Sequence, residues 1–324
     1  MAKRTMICAG IDTGKHKLDV AIDGSSEQLQ VDNTPEGYKV LSDWLRQHRV
    51  KRVGIEASGA YEQDVVVELR RRRFVVVMFQ PAQVRAYARF KGQRAKNDKI
   101  DAALIAACTA AVKKVHAPPD PRLLPFAQHL TMIDQIGEDM ARLKNRLESC
   151  RNVRIQQVWK EDLACLDKRK KAELKALAAE IRTHSDLAAR LDLILSVSGA
   201  GLPTALAILV RMPEIGKITR EQAAALAGLA PYDDDSGQRD GDRHIAGGRE
   251  RLRRALYTAA LPASMRWNPQ LIALYKRLIA AGKEHKYALV ACARKLLIFV
   301  NTVVARGTPW QEQTPQRNEV PATA

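Results

Sequence analysis

Lys96-Asn97-Asp98-Lys99-Ile100-Asp101-Ala102 sets two carboxylates one helical turn apart at the head of the apolar run that ends at Val112. Residues three apart on a helix are surface neighbours, so Asp98 and Asp101 share a face, and two anions that close repel unless a cation lies between them. This segment alone leaves two readings open. Asp is favoured at a helix N-terminus by the dipole, which makes the pair a solvated helix start. Carboxylate oxygens are also what Mg²⁺ prefers, which makes it part of a metal site where bound ions polarise a phosphodiester and activate the attacking oxygen.

Working outward, the apolar run Met6 to Asp12 stops on a carboxylate, and Leu18 to Ile22 alternates beyond Gly14, which reads as a hairpin. A third strand is expected at Leu29-Gln30-Val31, and Thr34-Pro35 caps a helix from Tyr38 to His48. Val53-Gly54-Ile55-Glu56 is a second apolar strand that ends on an acid, and Ala57-Ser58-Gly59 turns the chain into a helix from Gln63 to Arg72. Phe74 to Phe79 reads as a strand stopped by Pro81, with a helix to follow from Asp98 to Val112. Strands first in a run and then alternating with helices specify a mixed α/β domain. In such a sheet Asp12, Glu56, Asp98 and Asp101 fall where strand ends can meet. One strand-terminal acid is ordinarily a turn residue; two apolar strands that each stop on one are a stronger pattern. Arg94, Lys96 and Lys99 flank the last two acids and suit a polyanion held beside a metal, with phosphate contacts giving affinity but no sequence information.

Composition supports such a partner. Lys plus Arg total 53 against 36 Asp plus Glu in 324 residues, a net charge of +17, and the excess is spread along the chain. No uninterrupted apolar run of the roughly 20 residues needed to span a membrane is expected, so the chain reads as cytoplasmic, without membrane attachment. Five scattered cysteines, with no Cys-x-x-Cys pair, indicate neither a disulfide framework nor a zinc site, and Cys8 and Cys108 read as small core residues.

Pro118, Pro119, Pro121 and Pro125 mark a linker. From Gln128 to Leu195 the apolar residues recur at helical spacing, giving long helices as a hairpin or coiled coil. Ser196 to Ala205 is a Gly-rich turn opening an apolar helix, readable as a phosphate-gripping helix-hairpin-helix element or as a plain helix-helix turn. It is not a P-loop, since no Gly-Lys-Ser/Thr follows. Ser236, in an Asp/Gly-rich loop, reads on its own as a turn residue.

Gly10-Ile11-Asp12-Thr13-Gly14-Lys15, Ile55-Glu56-Ala57-Ser58-Gly59 and Lys96 to Ala102, in that order and spacing, resemble the RuvC-like Asp-Glu-Asp-Asp domain of the IS110-family transposases. Ala227-Gly228-Leu229-Ala230-Pro231, Ser236-Gly237 and Gly247 to Tyr257 resemble the C-terminal transposase domain of the same family. The resemblance, which runs roughly from Ile7 to Arg306, implies an RNase H/RuvC-like N-terminal domain (1–117), a proline linker and helical coiled-coil segment used for subunit contact (118–192) and a mainly α-helical transposase domain (193–307); the Pro/Gln/Thr-rich end (308–324) reads from its composition as a disordered tail. It implies a Mg²⁺-binding tetrad of Asp12, Glu56, Asp98 and Asp101, and Ser236 as the recombination nucleophile, with Arg239, Arg243 and Arg249 placed to neutralise developing charge. The implied activity cuts and rejoins donor and target DNA for insertion-sequence mobility in the nucleoid, guided by a structured RNA and carried out by a homo-oligomer. Rival readings are a RuvC-type structure-selective nuclease without a covalent intermediate, a non-catalytic nucleic-acid-binding protein and, last, a sugar-kinase or actin-like ATPase suggested by the Gly10-Ile11-Asp12 strand but lacking a matching phosphate loop.

Overall fold

The computed structural model describes residues 6–57, 59–92, 98–115, 117–118, 120–232 and 244–312, except for the side chains of 98–100. Its contacts divide the chain into two compact units, Met1–Pro118 and Pro119–Ala324.

In the first unit Cys8–Thr13 (β1) and Lys17–Ile22 (β2) form the expected hairpin, with Ile11 opposite Val20, and Gln28–Asp32 (β3) pairs antiparallel to β2. Pro35–Gln47 (α1) leads to Arg52–Glu56 (β4), and Gln63–Arg71 (α2) to Val75–Phe79 (β5). Both later strands run parallel to β1 in a five-stranded sheet of order β3-β2-β1-β4-β5. Two helices complete the unit, Pro81–Phe90 (α3) and Asp98–Ala111 (α4). This mixed sheet with crossover helices is the RNase H/RuvC-like arrangement. Thr34 starts α1 by accepting from the Gly37 amide at 3.3 Å, ahead of Pro35 at the first helical position. One face of the sheet packs Ile11, Val53 and Ile55 against Leu41, Leu45, Val65 and Leu69 of α1 and α2; α4 covers the other.

α3 corrects the sequence reading. Pro81 does end the strand, but it also occupies the first turn of a helix, where a missing N–H costs nothing. Gln80 and Gln83 cap that turn reciprocally, the Gln80 amide donating to Gln83 Oε1 at 2.8 Å. Pro125 is likewise inside a helix rather than in the linker.

The second unit is helical. Leu123–Ser149 (α5) and Val153–Arg182 (α6) pack as a hairpin, followed by Ser185–Leu195 (α7), Leu202–Arg211 (α8) and Arg220–Ala227 (α9). The two-residue strands Pro231–Tyr232 (β6) and His244–Ile245 (β7) pair. Glu250–Pro262 (α10) runs into a π-helical turn at Ala263–Trp267, and Pro269–Ala280 (α11) and His285–Arg306 (α12) complete the unit. Ile194, Leu206, Leu209, Leu256, Leu296 and Val300 are fully buried in one core. Although Arg294 and Lys295 interrupt its apolar run, α12 is long and apolar enough to cross a membrane by length and composition alone. Cys292, Leu296, Leu297, Val300 and Val303 on it are core residues of this unit. The disorder expected from Thr308 also fails over its first residues. The Trp310 ring lies 4.7 Å from Phe299 and its amide donates to Ser196 Oγ at 2.9 Å; residues 313–324 lie outside the described set.

Candidate functional site

Two missing side chains organise the site. A Cβ on Gly10 would strike the main chain of α4 at Ala102 and Ala106, coming within 2.7 Å of the Ile105 carbonyl carbon. One on Gly54 would strike the Thr109 hydroxyl and reach 2.9 Å from the Phe79 ring. Glycine therefore lets α4 lie directly on β1 and β4. Arg52, at the start of β4, fixes the far end of that helix by donating from Nη1 to the carbonyls of Val112 (2.7 Å) and Thr109 (3.4 Å), where a cation complements the helix dipole. α4 thus runs antiparallel to β1 and β4, and its first turn lies at their C-terminal ends.

Side chains alternate along a strand, so Asp12 and Glu56, each two residues beyond a glycine, face α4 as the glycines do. They stand abreast, because Ile11 pairs with Ile55 one residue earlier. Asp101 adjoins Ala102, the residue over Gly10, and Asp98 opens the same helix. The fold therefore brings Asp12, Glu56 and the Asp98–Asp101 turn to one end of the sheet. Asp12 and Glu56 are half-buried, as is Asp101. The side chain of Asp98 is outside the described set. Among the described residues no three His, Cys, Asp or Glu side chains form a group that could hold a metal ion. The donor chemistry, carboxylate oxygens throughout, fits a hard divalent cation.

The sequence reading missed two residues here. Asp19 pairs across the hairpin with Asp12, on the same face of the sheet. It is 5% exposed, and its carboxylate is neutralised by Lys17 Nζ at 3.3 Å and accepts from Gln30 Nε2 at 2.7 Å. A polar residue at an inward position of an alternating strand was the available signal. Asn33 is the other. Its Nδ2 donates to the Gly14 carbonyl at 2.9 Å and to the Tyr61 carbonyl at 3.0 Å, and its Oδ1 accepts from the Tyr38 hydroxyl at 2.6 Å. One amide thereby ties the turn after Asp12 to the loop after Glu56. Burial pushes the thiols of Cys8 and Cys108 up and that of Cys292 to about 11, which disfavours their reactive thiolate forms.

The remaining candidates divide. Arg94, Lys96, Ser236, Arg239 and Arg243 lie outside the described residues, as does the side chain of Lys99. Arg249 is described, and its fork faces inward: Nη2 donates to Glu214 Oε1 at 2.6 Å, and Nη1 to Glu214 Oε2 and the Arg211 carbonyl, both at 2.8 Å. Arg249 thus braces protein rather than presenting a free cation. The Gly-rich turn before α8 is engaged too. Ser198 Oγ donates to Glu312 Oε1 at 2.9 Å, and Asn268 Nδ2 donates to the Ser198 carbonyl at 2.9 Å.

Residues 9–151 match the family model of DEDD-type IS110 transposases, and residues 191–276 match that of the IS116/IS110/IS902 transposase family. Pilin gene-inverting proteins of Moraxella lacunata and Moraxella bovis are each 24% identical over 323 residues, covering 94% of this chain and 97% of their own. An uncharacterised 43.6 kDa protein of insertion element IS110 from Streptomyces coelicolor is 30% identical over 150 residues, which is 46% of this chain and 37% of that protein.

Proposed function

The chain belongs to the IS110 family of transposases, and from that premise we propose a metal-dependent DNA recombinase in which Asp12, Glu56, Asp98 and Asp101 hold Mg²⁺ and Ser236 is the nucleophile. The observation that carries this reading is the meeting of two strand-terminal acids and an acid-bearing helix start at one end of the sheet, fixed by Gly10 and Gly54. A divalent ion held there would supply Lewis-acid polarisation of the phosphodiester and would lower the pKa of the attacking hydroxyl.

The protein's own residues do the rest. The sheet holds Asp12 and Glu56 side by side, and Asn33 ties together the loops that follow them. Ser236 Oγ attacks phosphorus, forming a phosphoserine ester as the bond from phosphorus to the DNA oxygen breaks, and the departing oxygen takes up a proton. A DNA hydroxyl then attacks the ester, joins the new strand and returns the serine. Retaining the phosphodiester's energy in a protein ester suits strand exchange better than hydrolysis. The relatives named for inverting a pilin gene favour rearrangement over simple cleavage. The charge of +17 is consistent with a second polyanion, a guide RNA recognised by shape and backbone. The α5–α6 hairpin is our candidate for subunit contact in a homo-oligomer.

The test is recombination between donor and target sites on plasmids, alongside trapping of protein–DNA adducts in denaturant. Asp12→Asn and Asp101→Asn should each remove both recombination and adduct, and Ser236→Ala should remove the adduct and strand exchange. Wild-type recombination by Ser236→Ala, or full activity in EDTA, would overturn the mechanism in favour of a nuclease or a metal-independent reaction.

A further inference from the structure

α3, the helix that periodicity missed, presents a surface that the proposed reaction has not used. Phe90, its last residue, is 82% exposed, the most exposed large apolar side chain among the described residues. Its ring lies 6.3 Å from that of Tyr87, tilted by 37°. Tyr87 is half-buried and its hydroxyl donates to the Ala107 carbonyl at 3.3 Å, so the aromatic pair is anchored to α4. On the same helix Arg85 and Arg89 are one turn apart and both exposed, and beyond it the Lys91 ammonium is 5.8 Å from the Tyr87 ring centroid. Among the described residues none of these three cations is paired with a carboxylate, and no Asp or Glu occurs in the sequence between Phe79 and Asp98.

Aromatic rings set among open cations are the recognition chemistry of unpaired nucleic acid: every base has a π-face to stack, and the phosphates follow the positive groove. A duplex offers its phosphates to such a surface but no base face, which leaves Phe90 without a use. A second copy of this chain, itself at +17, would bring like charge to the patch. We propose that Phe90 and Tyr87 form a stacking platform for an unpaired base of the DNA strand undergoing reaction, with Arg85, Arg89 and Lys91 along its phosphates. The proposal deepens the recombinase reading and rests on it for the identity of the polyanion. α3 begins at Pro81, just beyond the strand end where Phe79 pairs with Glu56. Its nine steps carry Phe90 roughly 14 Å from that end, which places the stacked base a few nucleotides from the reacting phosphate.

The experiment uses the full-length protein in EDTA, so that no strand is cut, with a single-stranded DNA oligonucleotide carrying 2-aminopurine. Wild type should quench the probe by stacking. Phe90→Ala should weaken single-strand binding about tenfold and abolish quenching, since one base stack contributes on that scale, while duplex binding changes less than about twofold. Phe90→Trp should keep both properties, which guards against a folding artefact. Unchanged single-strand binding by Phe90→Ala overturns the proposal. So does an equal loss on duplex, or a loss confined to an RNA oligonucleotide of the same sequence. These readouts need no tetrad chemistry. If Phe90→Ala loses the stacked base while wild type proves unable to recombine DNA, the platform stands and the recombinase reading falls; if recombination depends on Asp12 but not on Phe90, the reverse holds.

Discussion

α3 and α10 carry arginine at similar density, but of the four arginines at α10 all except Arg253, which donates to the Gly247 carbonyl, are paired with carboxylates, and among the described residues those of α3 are not. Around α10, Arg249 is forked onto Glu214, Arg251 reaches Asp134 at 3.3 Å, and Arg254 bridges Glu138 (3.1 Å) and Glu250 (3.0 Å). Arg211 of α8 shares Asp134 at 2.7 Å. Arg85, Arg89 and Lys91 on and beside α3 have no such partners among the described residues. Net charge therefore does not locate a polyanion face. What locates it is where carboxylates are missing, and the helix with fewer arginines is the better candidate.

The contrast extends to how each unit fixes its key helix, and the largest expected effect tests this. In the first unit α4 lies on glycine, main chain against strand. Gly10→Val should destabilise that unit by about 3 kcal/mol or more, because the obstruction is backbone and cannot turn aside. Urea unfolding followed by circular dichroism would show it, and a midpoint equal to wild type would refute the contact. In the second unit the seam is ionic and partly wet. Arg249→Ala should lower its stability by about 1–2 kcal/mol, a figure discounted because both partners are about a third exposed, and should leave the salt dependence of DNA binding unchanged. The Arg85→Gln/Arg89→Gln variant should do the opposite. Stability should stay within about 0.5 kcal/mol, and the slope of log affinity against log salt should shrink by about 2. If Arg249→Ala reduced the slope and the double variant did not, the assignment of the two helices would be reversed.

The smallest effect concerns pH. The Arg122 guanidinium, donating to Asp186 at 2.9 and 2.7 Å, holds that carboxyl down to about 2, below the usual value near 3.9. A carboxylate depressed in the folded state adds stability that is fully present above its unfolded value and is lost as pH falls towards its folded one. The second unit should therefore lose a little stability between about pH 5 and pH 2. Arg122→Met should flatten that part of the profile, and an unaltered profile would show that the pair contributes nothing.

Much of the first unit was legible because its signals are local. The apolar runs that become β1 and β4 each lead into an acid, Asp12 and Glu56, and Thr34-Pro35 announces α1. α3 was not legible, since only Val84 on it is buried and its later apolar residues, Ala86, Tyr87, Ala88 and Phe90, follow no one-faced period. Its start depends on reading Gln80-Pro81-Ala82-Gln83 as a cap rather than a stop. The role of Arg249 was hidden for a different reason. Its partner Glu214 lies 35 residues upstream, and nothing local separates a braced arginine from an open one. Asp19 and Asn33 were missed because Gln30 beside Asp19, and Gly14 and Tyr61 beside Asn33, are brought near only by the folded hairpin and its neighbouring loops.

The two glycines under α4 also shape what this chain can become. At position 54 the obstacle is a neighbour's side chain, so a lineage could move from Gly54 to Ala if Thr109 shrank to Ala and the Phe79 ring shifted slightly. At position 10 the obstacle is the main chain at Ala102 and Ala106, which no second substitution removes. One position is free to drift with a partner and the other is closed to drift altogether. The spacing between the acid-bearing strand and the acid-bearing helix is thus inherited as backbone geometry, beyond the reach of compensating mutation.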